Sequence, residues 1–62
     1  METYIIKYEY IDIFGVQTES INISGLHEGY AVYEFWRRVK EGLIAGEDTT
    51  ILEIIPMSSL PY

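Results

Sequence analysis

An α+β fold of ββαβ order is predicted for this chain, with a three-stranded, mainly antiparallel sheet packed on one helix. Three observations lead there. A Tyr- and Ile-rich run from Thr3 to Phe14 contains neither Gly nor Pro, which suits a pleated strand better than a helix. The stretch Tyr30 to Ile44 is the one segment with a sustained helical period, placing Val32, Phe35, Trp36, Val39 and Leu43 on one apolar stripe. Thr49 to Ile55 is β-branched and ends at Pro56, a third strand with its stop.

The first strand alternates in character. Its even positions, Tyr4, Ile6, Tyr8, Tyr10, Asp12 and Phe14, are largely aromatic, whereas Ile5, Lys7, Glu9, Ile11 and Ile13 are mixed. Gly15 marks the turn. With Gly15 and Val16 central in a type II′ turn, Phe14 pairs with Gln17, Tyr10 with Ile21, Tyr8 with Ile23 and Asp12 with Glu19; a longer turn with a bulge is the alternative. Asp12 opposite Glu19 sets like charges across the ladder, at a cost of up to about 1 kcal/mol, and such a pair suits contact with a basic partner.

Ser24 to Gly29 reads as a crossover loop between two glycine breakers, with Ser24 or His27 near the helix start and Glu28 favourably placed at the positive end of its dipole. The helix is expected from about Gly29 to Gly42 or Ile44. Arg37, Arg38 and Lys40 lie in its second half, where they complement the carbonyl end, and Glu34 with Arg38 and Glu41 with Arg37 form i, i+4 pairs. Ala45 to Asp48 is expected as a turn. Because the third strand follows a crossover, antiparallel pairing requires it beside the first strand, giving order 2-1-3; parallel pairing beside the second strand is the alternative. The helix is expected over Tyr4, Ile6, Tyr8, Tyr10, Ile21 and Ile23, leaving Ile5, Ile11, Ile13, Ile51 and Ile55 on the open side.

The 62 residues are expected to form one domain, with residues 57–62 as a tail ordered by a partner. A chain this short buries only about 60% of its unfolded surface, and without Cys it has neither disulfides nor thiolate zinc sites. A second copy is the expected source of further burial, with exposed Ile as its contact. The net charge of −6 argues against nucleic acid as a partner, since phosphate affinity depends on Lys and Arg. Such a field suits proteins that bind DNA, although acidity also simply maintains solubility. No apolar run approaches membrane-spanning length and no secretory pattern is present, so a cytoplasmic location is expected. No nucleophile–base pair, phosphate-cradling loop or metal-ligand spacing occurs, so no catalytic residue, metal or cofactor is expected.

The acidic, cysteine-free chain has a Tyr-rich hairpin, a strand with Gln17, Glu19, Ile21 and Ile23 at alternate positions, and a helix with Tyr33, Phe35 and Trp36 before an Ile-rich strand. From about Tyr4 to Ile55 this pattern resembles the small phage-encoded inhibitors of uracil-DNA glycosylase. The resemblance implies a homodimer in the host cytoplasm that mimics DNA, blocks the enzyme's groove and captures in an apolar pocket the side chain it inserts into the duplex. Position by position, it implies that Glu19 is the strand carboxylate, Phe35 the pocket aromatic and Tyr33 or Trp36 its wall. Asp12 is a further contact candidate from the charge reading. The chain departs from the pattern in Trp36, in its double Arg and in a hairpin turn poorer in Asp. At least one of Phe35 and Trp36 is also expected in the core. Small adaptors that bind another host protein, and plain dimerisation modules, share these features.

Overall fold

The computed structural model describes residues 1–44 and 47–60. Strands β1 (Glu2–Asp12) and β2 (Gly15–Gly25) form a hairpin, helix α1 (Glu28–Lys40) follows, and β3 (Glu47–Pro56) closes the sheet. The order is β2-β1-β3 and both pairings are antiparallel, the expected arrangement and not the parallel alternative beside β2. The Tyr-rich strand therefore lies in the centre.

The hairpin register differs from expectation. Tyr10 faces Gln17, Tyr8 faces Glu19 and Asp12 faces Gly15, so the loop consists of Ile13 and Phe14. A type II′ turn needs positive φ at its first central residue, but in this hairpin only Gly15, just past the loop, has it, at 107°. Asp12 closes the turn by accepting a 2.7 Å hydrogen bond from the Phe14 amide through Oδ1, the side-chain mimicry for which Asp is favoured in turns. The slip is by an even number of residues, which leaves every side chain on its expected face. It also removes the expected opposition of Asp12 and Glu19.

Tyr4, Ile6, Tyr8 and Ile23 are buried on the helix side together with Ala31, Phe35 and Ile44, and Tyr10, Ile21, Val39, Ile51 and Ile54 pack around them. Ile51, expected on the open side, is carried to the core side by a β-bulge. Lys7 pairs with Glu53 but Tyr8 pairs with Ile51, leaving Leu52 as the extra residue. The centre of the open face is accordingly polar, with Thr3, Lys7, Glu9, Ser20, Asn22 and Glu53 around the paired Ile5 and Ile55. Among the described residues it holds no continuous isoleucine patch.

Helix α1 begins where His27, in extended geometry, accepts the Tyr30 amide on Nδ1 at 3.2 Å. It ends earlier than expected, at Lys40. Gly42 takes φ 77°, its amide bonds Val39 O at 3.1 Å and the Leu43 amide bonds Arg38 O at 2.9 Å, which is a Schellman stop. The buried side comprises Ala31, Glu34 and Phe35, rotated by roughly a quarter of a turn from the expected stripe. Trp36 is 41% exposed and Leu43 lies outside the core, while Ile44 is buried. Two causes are visible: Ala31 allows close approach to the sheet, and the Glu34 carboxylate is neutralised by Arg37 and Arg38. Of the expected turn at 45–48, Ala45 and Gly46 lie outside the described residues, and Glu47 and Asp48 already belong to β3. Met57–Ser59, expected in a tail, form one turn of 3-10 helix in which Ser58 donates through its amide and hydroxyl to Glu2.

Phe35 is wholly buried, its ring 5.1 Å from that of Tyr8. Phe35→Ala is expected to cost about 3–5 kcal/mol, comparable to the whole stability of a domain this small, about 3–9 kcal/mol. Urea melts followed by circular dichroism should show it largely unfolded, whereas Trp36→Ala keeps a cooperative transition.

Candidate functional site

The residues singled out in the sequence fall into three environments. Phe35 is core, with Trp36 edge-on to it at 5.1 Å and 82°. With no exposed surface, Phe35 cannot itself line a contact pocket. Tyr33 and Trp36, by contrast, line a surface depression of about 400 Å³ together with Arg37 and Lys40. Those four positions recur at i, i+3, i+4 and i+7, so they share the helix face turned away from the sheet.

The electrostatics of that face are partly settled within the helix. Arg37 reaches Glu34 at 2.6 Å and Glu41 at 2.7 Å, and Arg38 reaches Glu34 at 3.0 Å. The hydrogen bonds from Arg37 and Arg38 push the Glu34 carboxyl down to about 2, and those to Glu34 and Glu41 push the Arg37 guanidinium up. No buried side-chain nitrogen or oxygen among the described residues lacks a hydrogen-bond partner.

Asp12 and Glu19 lie at the hairpin end in different roles. Asp12 holds the turn, and Gln17 Nε2 also approaches its Oδ1 at 3.4 Å. Glu19 accepts a hydrogen bond from the Tyr10 hydroxyl. That bond, with burial and the nearby charges of Glu19 and Asp12, pushes the Tyr10 phenol up to about 12. Burial and then Glu19 raise Tyr8 as well.

Around these carboxylates the hairpin end exposes apolar side chains. Ile13 is 92% exposed, Phe14 82% and Val16 63%, and Ile11 is exposed beside them. From Tyr8 to Glu19 the chain carries Glu9, Asp12 and Glu19 and no basic residue. Phe14 was expected within the ladder, and its prominence follows from the turn shift. The Asp12-Ile13-Phe14-Gly15 order, with Asp opening a turn and Gly closing it, was the available signal.

A second depression, of about 320 Å³, lies at the opposite end of the sheet and is lined by Met1, Ser24, Gly25, Leu26, His27 and Tyr30. Among the described residues no group of three or more His, Cys, Asp or Glu could hold a metal, and no helix is long and apolar enough to cross a membrane. No family model, curated protein or solved structure matches the chain.

Two titrations test these contacts. Glu34, lowered from 4.5 to about 2, contributes stability that is present above pH 4.5 and lost as pH falls through about 2. Tyr10, raised from 10 to about 12, contributes stability that is present below pH 10 and lost as pH rises through about 12. Melting temperatures across pH should show both limbs, with Glu34→Gln flattening the acid limb and Tyr10→Phe the alkaline one.

Proposed function

We propose that the chain is a protein-binding module that inhibits a DNA-handling enzyme by occupying its DNA groove, with uracil-DNA glycosylase as the target. The observation that carries this reading is the hairpin end, where exposed Ile11 and Ile13 stand among Glu9, Asp12 and Glu19 without a cation between Tyr8 and Glu19. A groove built for nucleic acid offers Lys and Arg to phosphates and apolar wedges to base steps. Carboxylates interleaved with apolar side chains answer both features.

The choice of glycosylase rests on the sequence resemblance, and the burial of Phe35 changes how that resemblance applies. Phe35 supports the contact surface from beneath, and the helix aromatics offered to a partner are Tyr33 and Trp36. The host cytoplasm is the place of action in this reading. One observation favours a different protein partner: Arg37 and Lys40 flank those aromatics, which suits a target with acids at that point. An adaptor or anti-defence protein acting on such a target is the second reading.

Uracil release from duplex DNA, measured with increasing protein, should fall to background, and full release at micromolar excess rejects the glycosylase. Glu19→Gln keeps an acceptor for Tyr10 and removes the charge. It should weaken inhibition about tenfold, equivalent to about 1.4 kcal/mol, and make it less sensitive to salt. A lysate pull-down that returns another dominant protein supports the adaptor reading.

A further inference from the structure

The two edges of the sheet are built differently. The β3 edge is interrupted by two register shifts, contains Asp48 at φ 53°, ends at Pro56 and carries Asp48 and Glu53. Bulges, proline and charge are the devices that keep an exposed edge from pairing. The β2 edge has none of the structural ones. Its eleven residues pair with β1 from Glu2↔Gly25 to Asp12↔Gly15 without a shift, and they include no Pro, no Lys and a single carboxylate, Glu19.

We propose that β2 pairs antiparallel with β2 of a second copy of this chain, about a two-fold axis through Ser20, to form a continuous six-stranded sheet. The inference does not depend on the glycosylase reading. Ser20 is the midpoint of Gly15–Gly25, so this register pairs the whole strand. A two-fold axis normal to the sheet sets residues of equal parity opposite one another. Thr18 then faces Asn22 and Ser20 faces Ser20 on the polar side, while Glu19 faces Ile21 and Gln17 faces Ile23 on the helix side. No like charges are directly opposed. Shifting the axis to Glu19 would oppose two carboxylates, and shifting it to Ile21 would leave the ends unpaired.

The ends of the strand identify the occupant as a second copy. Continuing the same register one position past the ladder sets Phe14 of one copy against Leu26 of the other, at both ends. Phe14 and Leu26 are 82% and 80% exposed in the single chain. Leu26 borders the 320 Å³ depression with Met1, Gly25 and Tyr30, which has room for a phenyl ring. The edge thus carries an apolar projection at one end and an apolar depression at the other, and the two-fold operation brings them together. Ile11, Ile13 and Asp12 lie outside this contact.

Sedimentation equilibrium should give twice the 7.2 kDa chain mass. Ser20→Glu faces Lys7 of its own chain across β1, which favours the fold, but opposes two carboxylates on the axis. It should sediment as a single chain with an unchanged circular dichroism spectrum, and mixing it with Ser20→Lys should restore the dimer. Phe14→Ser should weaken association at least tenfold. Because the chain has no Cys, the register can be read with oxidised glutathione as the oxidant. Ser20→Cys should cross-link to itself; Thr18→Cys and Asn22→Cys should cross-link only when mixed. A parent protein of single-chain mass at millimolar concentration overturns the proposal. So does a dimer that survives Ser20→Glu, or one in which Ser20→Cys fails to cross-link.

Discussion

Burial of one face of β1 beneath one helix is the constraint on which the rest of the structure depends. Tyr4, Ile6 and Tyr8 alternate along the central strand, so all three point at α1, and their neighbours on β2 and β3 must follow the same pleat. Phe35 fills the space above Tyr8, and Ala31 lets the helix approach. The Cα atoms span 35 × 25 × 13 Å, a slab with a single layer of helix. Such a slab has little apolar interior in reserve, and for that reason the bulge that returns Ile51 to the core and the buried Ile44 matter to a chain of 62 residues.

The acid excess is unevenly displayed. Within the helix Glu34 and Glu41 are taken up by Arg37 and Arg38, and these cations also sit at the carbonyl end of the dipole. The charge left to act on a partner is therefore carried mainly by the strands and the hairpin end. Lys7, the base of the first two strands, is 3.6 Å from Glu53 on the open face, away from Asp12. Acidic apolar hairpin and cationic aromatic helix face are consequently separate surfaces, and each makes a different demand on whatever binds it.

The edges add a third kind of information, since they concern backbone groups rather than side chains. A natural sheet that interrupts one edge with bulges, a proline and acids while leaving the other regular for eleven residues treats the two differently. The regular edge lies beside apolar residues that the monomer does not cover.

Periodicity and residue type alone determined the element order and the acidic character of the surface, and pointed to the 2-1-3 antiparallel topology and to the aromatic face of β1 as the covered face. The structure decided these last two against a parallel third strand beside β2 and an inverted sheet. Both expectations follow from local alternation and from the chain's crossover, and an even register slip leaves them intact. Tertiary structure decided the rest. The turn moved to Ile13 and Phe14 because Asp12 could cap it and Gly15, just past the loop, is the hairpin residue that takes positive φ. The helix rotated because Ala31 permits contact and Glu34 finds two guanidinium partners. A single bulge at Leu52 sent Ile51 inward. Phe35 and Trp36 are adjacent aromatics that a helical period treats as equals; only the distance to Tyr8 made one of them core and left the other at the surface. The turn and the Glu34 pairing have local signals, in the Asp12-Ile13-Phe14-Gly15 order and in the i, i+3 and i, i+4 spacing of Arg37 and Arg38. The bulge, the helix face set against the sheet and the choice between Phe35 and Trp36 depend on contacts between residues far apart in the chain, which no local pattern encodes.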